Sequence, residues 1–272
     1  MESDSGAPGI SRANRPLLET LHREFPSAFT VAEAADALGI DATRAHRVLS
    51  YLSRRGWLAR VRRGLYVAVP LEARVSGQWR EDAWVVAAKT FDPCYLGGWS
   101  ACEYWGLTEQ LFRTVVVITT RRVRDRRPTL QETPFRVKTI QERHFFGTRT
   151  VWRGQSQVAV SDPSRTAVDI LDDPALGGGI QHGAAVLAVY LASEHRADDA
   201  LLDYSARIGN RSVFKRLGYL TEVLALDAED LAARCHEQMS TGVTLLDPSG
   251  PRQGEINNRW GLRVNASVRV AA

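Results

Sequence analysis

The chain has 272 residues, is 44% hydrophobic and 24% charged, and carries a formal net charge of +4 at pH 7. That is a globular composition, too balanced in charge for a disordered chain, and the length suggests about two domains. No apolar run approaches the ~20 residues of a membrane span, and the opening MESDSGAPGIS lacks a signal-peptide core.

A cytoplasmic location with no membrane partner is therefore expected. The three cysteines, Cys94, Cys102 and Cys235, are few, odd in number and scattered, which fits reduced thiols. Arginine outnumbers lysine 32 to 3, so arginine clustering carries information and arginine abundance does not.

Residues 1–13 read as a frayed tail. Leu17, Leu18, Leu21 and Phe25 share one face of a helix from Arg15 that Pro26 ends. Thr30 and Glu33 have capping-box spacing for a second helix, and Gly39 supplies the left-handed residue after it. Asp41 caps a third helix from Ala42 to Arg55, with Ala45, Val48, Leu49 and Leu52 turned inward. Strands Trp57–Val61 and Leu65–Val69 flank a tight Arg62-Arg63-Gly64 turn. This order is that of a winged helix-turn-helix, whose second helix of the pair enters a major groove while the hairpin flanks it.

A linker is expected at Pro70–Gly77 and a helix at Trp79–Lys89. A glycine turn then feeds a helix from about Ser100. The following pattern reads as one mixed sheet, with strands at 114–120, Phe135–Ile140, Phe145–Phe146, Val151–Arg153 and Val158–Val160. Helices follow at Pro163–Leu171, Ile180–Ala192, Asp198–Ile208, Ser212–Leu224 and Ala228–Gln238, and the last thirty residues are turn-rich. The expected fold class is α+β. A winged helix-turn-helix over residues 14–70 precedes a C-terminal α/β domain over residues 78–272 with a small mixed sheet and several helices.

Charge is concentrated in one place. Between Asp41 and Tyr66 there are seven arginines and a single acid, a local net charge of about +6, so the rest of the chain is slightly acidic. Such a surface suits a polyanion. Thr43, Arg44, Arg47, Ser50 and Arg54 lie on the outer side of the third helix. Arg44 and Arg47, near its start, are candidate base readers, because a guanidinium fork fits the O6 and N7 of guanine. Arg54 at the helix end and Arg60, Arg62 and Arg63 on the hairpin are candidate phosphate contacts. A second basic cluster, Arg121, Arg122, Arg124, Arg126 and Arg127, follows a strand and is a candidate nucleic-acid or partner surface.

Other chemistries find little support. The six histidines lack zinc spacing, no G-x-S-x-G occurs, and none of the three lysines completes a Glu-x-Lys nuclease pattern. Gly177-Gly178-Gly179 lacks the Lys-Ser/Thr of a phosphate loop. Trp99, Tyr104 and Trp105 read as packing residues. Asn210, Lys215 and Arg216 imitate another helix-turn-helix but suit helical packing better. Asp169, Asp172 and Asp173 read as the end of a helix and the turn before Pro174. No catalytic residue, metal or cofactor is expected.

Several segments, taken in order, carry a resemblance. They are RRGLYVAVP, YLGGWSACEYWGLTEQ with the strand VVVIT, VSDPSRTAVDILDDPALGGGIQH, IGNRSVFKRLGYLTEVL, and the closing LLDPSG and NNRWGLRVN. Through their order and spacing, over about residues 15 to 265, the chain resembles the AbiEi antitoxins of type IV toxin–antitoxin, or abortive-infection, systems. The resemblance implies a non-enzymatic autorepressor that binds double-stranded operator repeats in its own promoter. It also implies a C-terminal domain that serves antitoxicity and DNA binding, and a nucleotidyltransferase-like toxin countered without a stable complex. Monomer or dimer, the protein is expected to pair on DNA. Two alternatives stay open: direct masking of the toxin, and an orphan regulator without a toxin.

Overall fold

The computed structural model describes residues 10–70 and 79–269. The expected tail at residues 1–9 and the expected linker from residue 71 lie outside the described residues. The chain divides into two compact units. The first comprises Met1–Pro93, Arg127–Phe135 and Val151–Val158, and the second Cys94–Arg126, Arg136–Thr150 and Ala159–Ala272. The boundary expected between residues 70 and 78 lies outside the described residues. The fold class is α+β, with a helix-turn-helix-like N-terminal region.

In the first unit the elements run α1 (Arg15–Glu24), β1 (Phe29–Thr30), α2 (Val31–Leu38), α3 (Ala42–Arg54), β2 (Leu58–Arg62), β3 (Leu65–Ala68) and α4 (Ala83–Phe91). Local chemistry sets the helix starts. Thr30 Oγ1 accepts from Glu33 N at 3.2 Å while Glu33 Oε2 accepts from Thr30 N at 2.7 Å, so two otherwise orphaned donors of α2 are satisfied reciprocally. Gly39 closes α2 at φ +62°. Asp41 Oδ1 accepts from Arg44 N at 2.9 Å and starts α3. Asp82 does the same for α4, accepting from Trp84 N at 2.8 Å, which moves that helix start from the expected Trp79 to Ala83.

Leu18, Leu21, Phe29, Ala34, Leu49, Leu52, Leu58 and Tyr66 form the core of this unit. Burying each large apolar side chain contributes about 1.5–3 kcal/mol. The sheet order is β1-β3-β2. The short strand β1 was not expected. Phe29 pairs with Tyr66 and Thr30 with Leu65, so the segment entering α2 is pinned to the hairpin. A register shift between Arg60 and Arg62 bends the hairpin just before its turn.

The remaining strands are β4 (Cys94–Leu96), β5 (Val115–Thr119), β6 (Thr129–Leu130), β7 (Thr133–Thr139), β8 (Thr148–Arg153) and β9 (Ser156–Ser161), with α5 (Gly98–Tyr104) after β4. They form a six-stranded sheet of order β6-β7-β5-β4-β9-β8. It is mixed, because β4 runs antiparallel to β5 and parallel to β9. Phe145–Phe146 is not a strand. A 3-10 turn at Glu142–His144 precedes it, and both rings pack inward, Phe145 edge-on to Tyr95 and Phe146 under the Arg165 guanidinium.

The helices of the second unit are α6 (Pro163–Asp172), α7 (Ile180–Ala192), α8 (Asp198–Ile208), α9 (Ser212–Val223) and α10 (Glu229–Gln238). The turn-rich end holds three short strands, β10 (Thr244–Leu245), β11 (Glu255–Asn257) and β12 (Leu262–Val264), in the order β10-β12-β11. Trp260, fully buried, lies against Gly218 of α9, where an added Cβ would come within 2.0 Å of the indole ring. Among the described residues no helix is long and apolar enough to cross a membrane.

Candidate nucleic-acid interface

The period of α3 divides its residues cleanly. Ala45, Leu49 and Leu52 are buried, while Thr43, Arg44, His46, Arg47 and Arg54 are exposed and Ser50 is half-buried. On the hairpin, Val61 points into the core, Arg60 and Arg63 are exposed, and Arg62 is half-buried. One groove is lined by His46, Arg47, Ser50, Ser53, Arg54, Arg60 and Tyr66. The fold thus joins four of the eight residues singled out in the sequence. Thr43 and Arg44 at the start of α3, and Arg62 and Arg63 at the hairpin tip, do not line that groove. His46 was missed. A single exposed histidine beside Arg47 belongs to no motif or spacing that would mark it.

The arginines differ in how they are held. Arg62 Nη1 donates to Arg63 O at 3.5 Å, and Arg60 Nε donates to Arg62 O at 3.4 Å, so both side chains fold along the hairpin. Arg55 lies over the Tyr51 ring, 5.7 Å from its centroid. Asp41 is the acid of this stretch. Its hydrogen bond from the Arg44 N–H, above all, holds its carboxyl below the usual range, and the charge of Arg47 acts in the same direction.

The basic loop between β5 and β6 exposes Arg121, Arg122, Arg124, Arg126 and Arg127. Its backbone is pinned rather than loose. Val137 N donates to Arg126 O at 2.9 Å, Thr139 Oγ1 donates to Arg121 O at 3.2 Å, and Arg121 N donates to Thr119 Oγ1 at 3.0 Å.

A second polar cluster, in the second unit, contains Asp169 and Asp172, which the sequence presents as a helix end. Lys138, His144, Arg165, Asp169, Asp172 and Asn210 line one small cavity. Arg165 and Asp169 are paired, as are Lys138 and Asp172, with Asn210 Nδ2 also donating to Asp172 Oδ1 at 2.8 Å. These groups act as ionic struts, because each charge already meets its complement. No group of histidine, cysteine, aspartate and glutamate able to hold a metal occurs among the described residues.

Three further motifs resolve into structure. Lys215 donates to Gly242 O at 2.6 Å, and Arg216 donates to Leu171 O and Leu246 O at 2.7 and 3.0 Å, so both buried cations tie α9 to neighbouring segments. After the glycine triplet, the start of α7 carries its own carboxylate: Asp247 Oδ2 accepts from Ile180 N at 3.1 Å. Trp99 stacks on Phe112 and Trp105 Nε1 donates to Ser161 O at 2.7 Å, whereas Tyr104 stays exposed.

Residues 15–69, which hold α1 to α3 and the hairpin, match the family described as "Transcriptional regulator, AbiEi antitoxin". In this segment the chain is similar to the AbiEi antitoxins. The match ends at Val69, so the AbiEi segment coincides with the helix-turn-helix-like region and its arginines. Over nearly the whole chain the fold is similar to that of the RV2827C protein from Mycobacterium tuberculosis. The TM-score is 0.63 at 18% identity, covering 96% of this chain and 94% of that one. At that identity the likeness concerns the fold alone. No curated protein matches the chain.

Proposed function

We infer that this chain is an antitoxin-type transcriptional regulator that binds operator repeats in its own promoter and represses its own operon. α3 enters the major groove, with Arg44 and Arg47 toward base edges and Thr43 and Ser50 beside them. Arg54 and the wing arginines Arg60, Arg62 and Arg63 hold phosphates. The observation that carries this reading is the uncompensated face of α3. Arg44, Arg47 and Arg54 are exposed and make no side-chain ion pair among the described residues, on a scaffold that matches a regulator family. Residues 14–70 serve as the DNA-binding domain and residues 78–272 as the antitoxin domain. The cognate toxin is nucleotidyltransferase-like and is countered in the cytoplasm without a stable complex.

The test is fluorescence anisotropy on a labelled fragment of the chain's own promoter and on a scrambled fragment. The expected result is preference for the promoter by at least the ~10³-fold that separates specific from non-specific binding. Equal affinity for both fragments would refute operator recognition.

The pinned loop with exposed Arg122, Arg124 and Arg126 supports a second reading, direct contact with a toxin. Co-purification with the product of the adjacent gene separates the two readings. Independent elution favours the type IV mode, and a stable complex broken by Arg122→Glu, Arg124→Glu and Arg126→Glu favours masking.

A further inference from the structure

Every side chain that lines the groove between α3 and the hairpin can donate a hydrogen bond, and none of them is acidic. Local geometry assembles this set. His46, Ser53 and Arg54 share one side of α3, because positions seven and eight residues on return to the same face. Arg60 and Tyr66 stand directly opposite each other in the register of β2 and β3, so their side chains rise from the same face of the hairpin.

Among the described residues these donors are unspent. Arg60 uses only Nε, on Arg62 O at 3.4 Å, and both its terminal nitrogens remain. Ser53 is half-buried and its hydroxyl makes no hydrogen bond among the described residues. Tyr66 is 1% exposed and its ring belongs to the core of the first unit. Its hydroxyl nevertheless has no partner among the described residues and is not shut off from solvent; the groove is where that oxygen surfaces. Buried polar side chains are almost always satisfied, so a buried tyrosine with a free hydroxyl beside unpaired guanidiniums points to an acceptor from outside, and an anionic one. Where a helix enters a major groove and a wing flanks it, the sugar–phosphate strand bordering the groove lies between the two.

We propose that this groove seats one phosphodiester of the bound DNA, with the Tyr66 and Ser53 hydroxyls donating to its non-bridging oxygens between the Arg54 and Arg60 guanidiniums. The seat rests on the DNA-binding reading above and adds to it two neutral contacts, on residues that a charge count does not single out.

Fluorescence anisotropy of the full chain on promoter and scrambled fragments, with Tyr66→Phe and Ser53→Ala, tests the seat. Tyr66→Phe keeps the ring in the core, and thermal unfolding checks that both variants fold. Each is expected to weaken binding about tenfold on both fragments, the worth of a hydrogen bond to a charged group. The log–log salt slope should stay unchanged, because no charge is removed, whereas Arg54→Ala should take away about 0.9. In a series of promoter fragments that each carry one methylphosphonate, one position should abolish the further effect of both variants. Unchanged affinity in both variants, a loss confined to the promoter, or losses that add to every methylphosphonate would overturn the seat. So would inorganic phosphate binding that Tyr66→Phe weakens while DNA affinity holds, because the occupant would then be a free anion. Equal affinity for the two fragments with the Tyr66→Phe loss intact refutes operator recognition and leaves the seat. Promoter preference without that loss refutes the seat alone, and no binding to either fragment refutes both.

Discussion

Arg165 and Asp169, one turn apart on α6, form an ion pair at 2.9 Å with side chains 1% and 6% exposed. Tyr95 closes the triangle: Arg165 Nη2 donates to its Oη at 2.9 Å, and that hydroxyl donates to Asp169 Oδ2 at 3.1 Å. Burial, first, and the Asp169 carboxylate raise the Tyr95 pKa well above its ordinary value, so the phenol keeps the proton it donates. Removing one member leaves the other charge buried and alone. Asp169→Ala should destabilise the chain by about 3–5 kcal/mol in urea denaturation. A loss under 1 kcal/mol would show that the triangle is not a strut.

Lys138 and Asp172 make a less buried pair at 2.9 Å. Burial pushes the Asp172 carboxyl up, but the Lys138 charge and the Asn210 and Lys138 hydrogen bonds outweigh it, and the net shift is downward. A depressed folded pKa contributes stability that is fully present above the unfolded value, about 3.9, and is lost as pH falls through the folded one. Asp172→Asn should therefore lower the urea midpoint by a constant amount above about pH 5. The gap to the unmodified protein should shrink below about pH 4, where Asp172 itself protonates. A gap that stays constant to the acid limit would contradict the pairing.

Arg44 and Arg47 are exposed, so their loss should leave the fold intact. Arg44→Ala and Arg47→Ala are each expected to weaken promoter binding by about 1–3 kcal/mol and to relax preference at one base pair. Thermal unfolding should move by less than about 0.5 kcal/mol in stability, as for surface substitutions generally. Uniform weakening on promoter and scrambled DNA alike would reassign that arginine to the phosphate backbone.

Arg54, Arg60, Arg62 and Arg63 are proposed phosphate contacts. Four such contacts give a log–log salt slope of about −3.6, and each removed contact takes away about 0.9. Arg60→Ala with Arg63→Ala should flatten the slope by nearly two units without changing base preference. An unchanged slope in anisotropy titrations from 50 to 200 mM salt would remove the wing from the interface.

The N-terminal elements are legible in the chain because their signals are local. The Thr30–Glu33 box, the Asp41 cap, Gly39 and the alternation of arginine with Ala45, Leu49 and Leu52 along α3 each act within one or two helical turns. The strand β1 is not legible. Two residues carry no period, and Phe29 is a strand residue only because Tyr66 lies opposite it. The same holds for the three strands near the C-terminus, where glycine and asparagine turns dominate the local pattern.

Sequence by itself determined where positive charge collects, because charge is additive along a chain and seven arginines against one acid need no fold to be counted. It also determined α3 as the carrier of Arg44, Arg47 and Arg54, because capping and period are short-range. Tertiary structure alone decided which charges are available. Lys215 and Arg216, on the second helix of an apparent helix-turn-helix, are buried against backbone carbonyls. Asp169 and Asp172, read from the chain as a helix end, meet Arg165 and Lys138 in a strut. Whether a charge faces a polyanion or an internal partner depends on residues far away in sequence, and only packing brings those partners within hydrogen-bond distance.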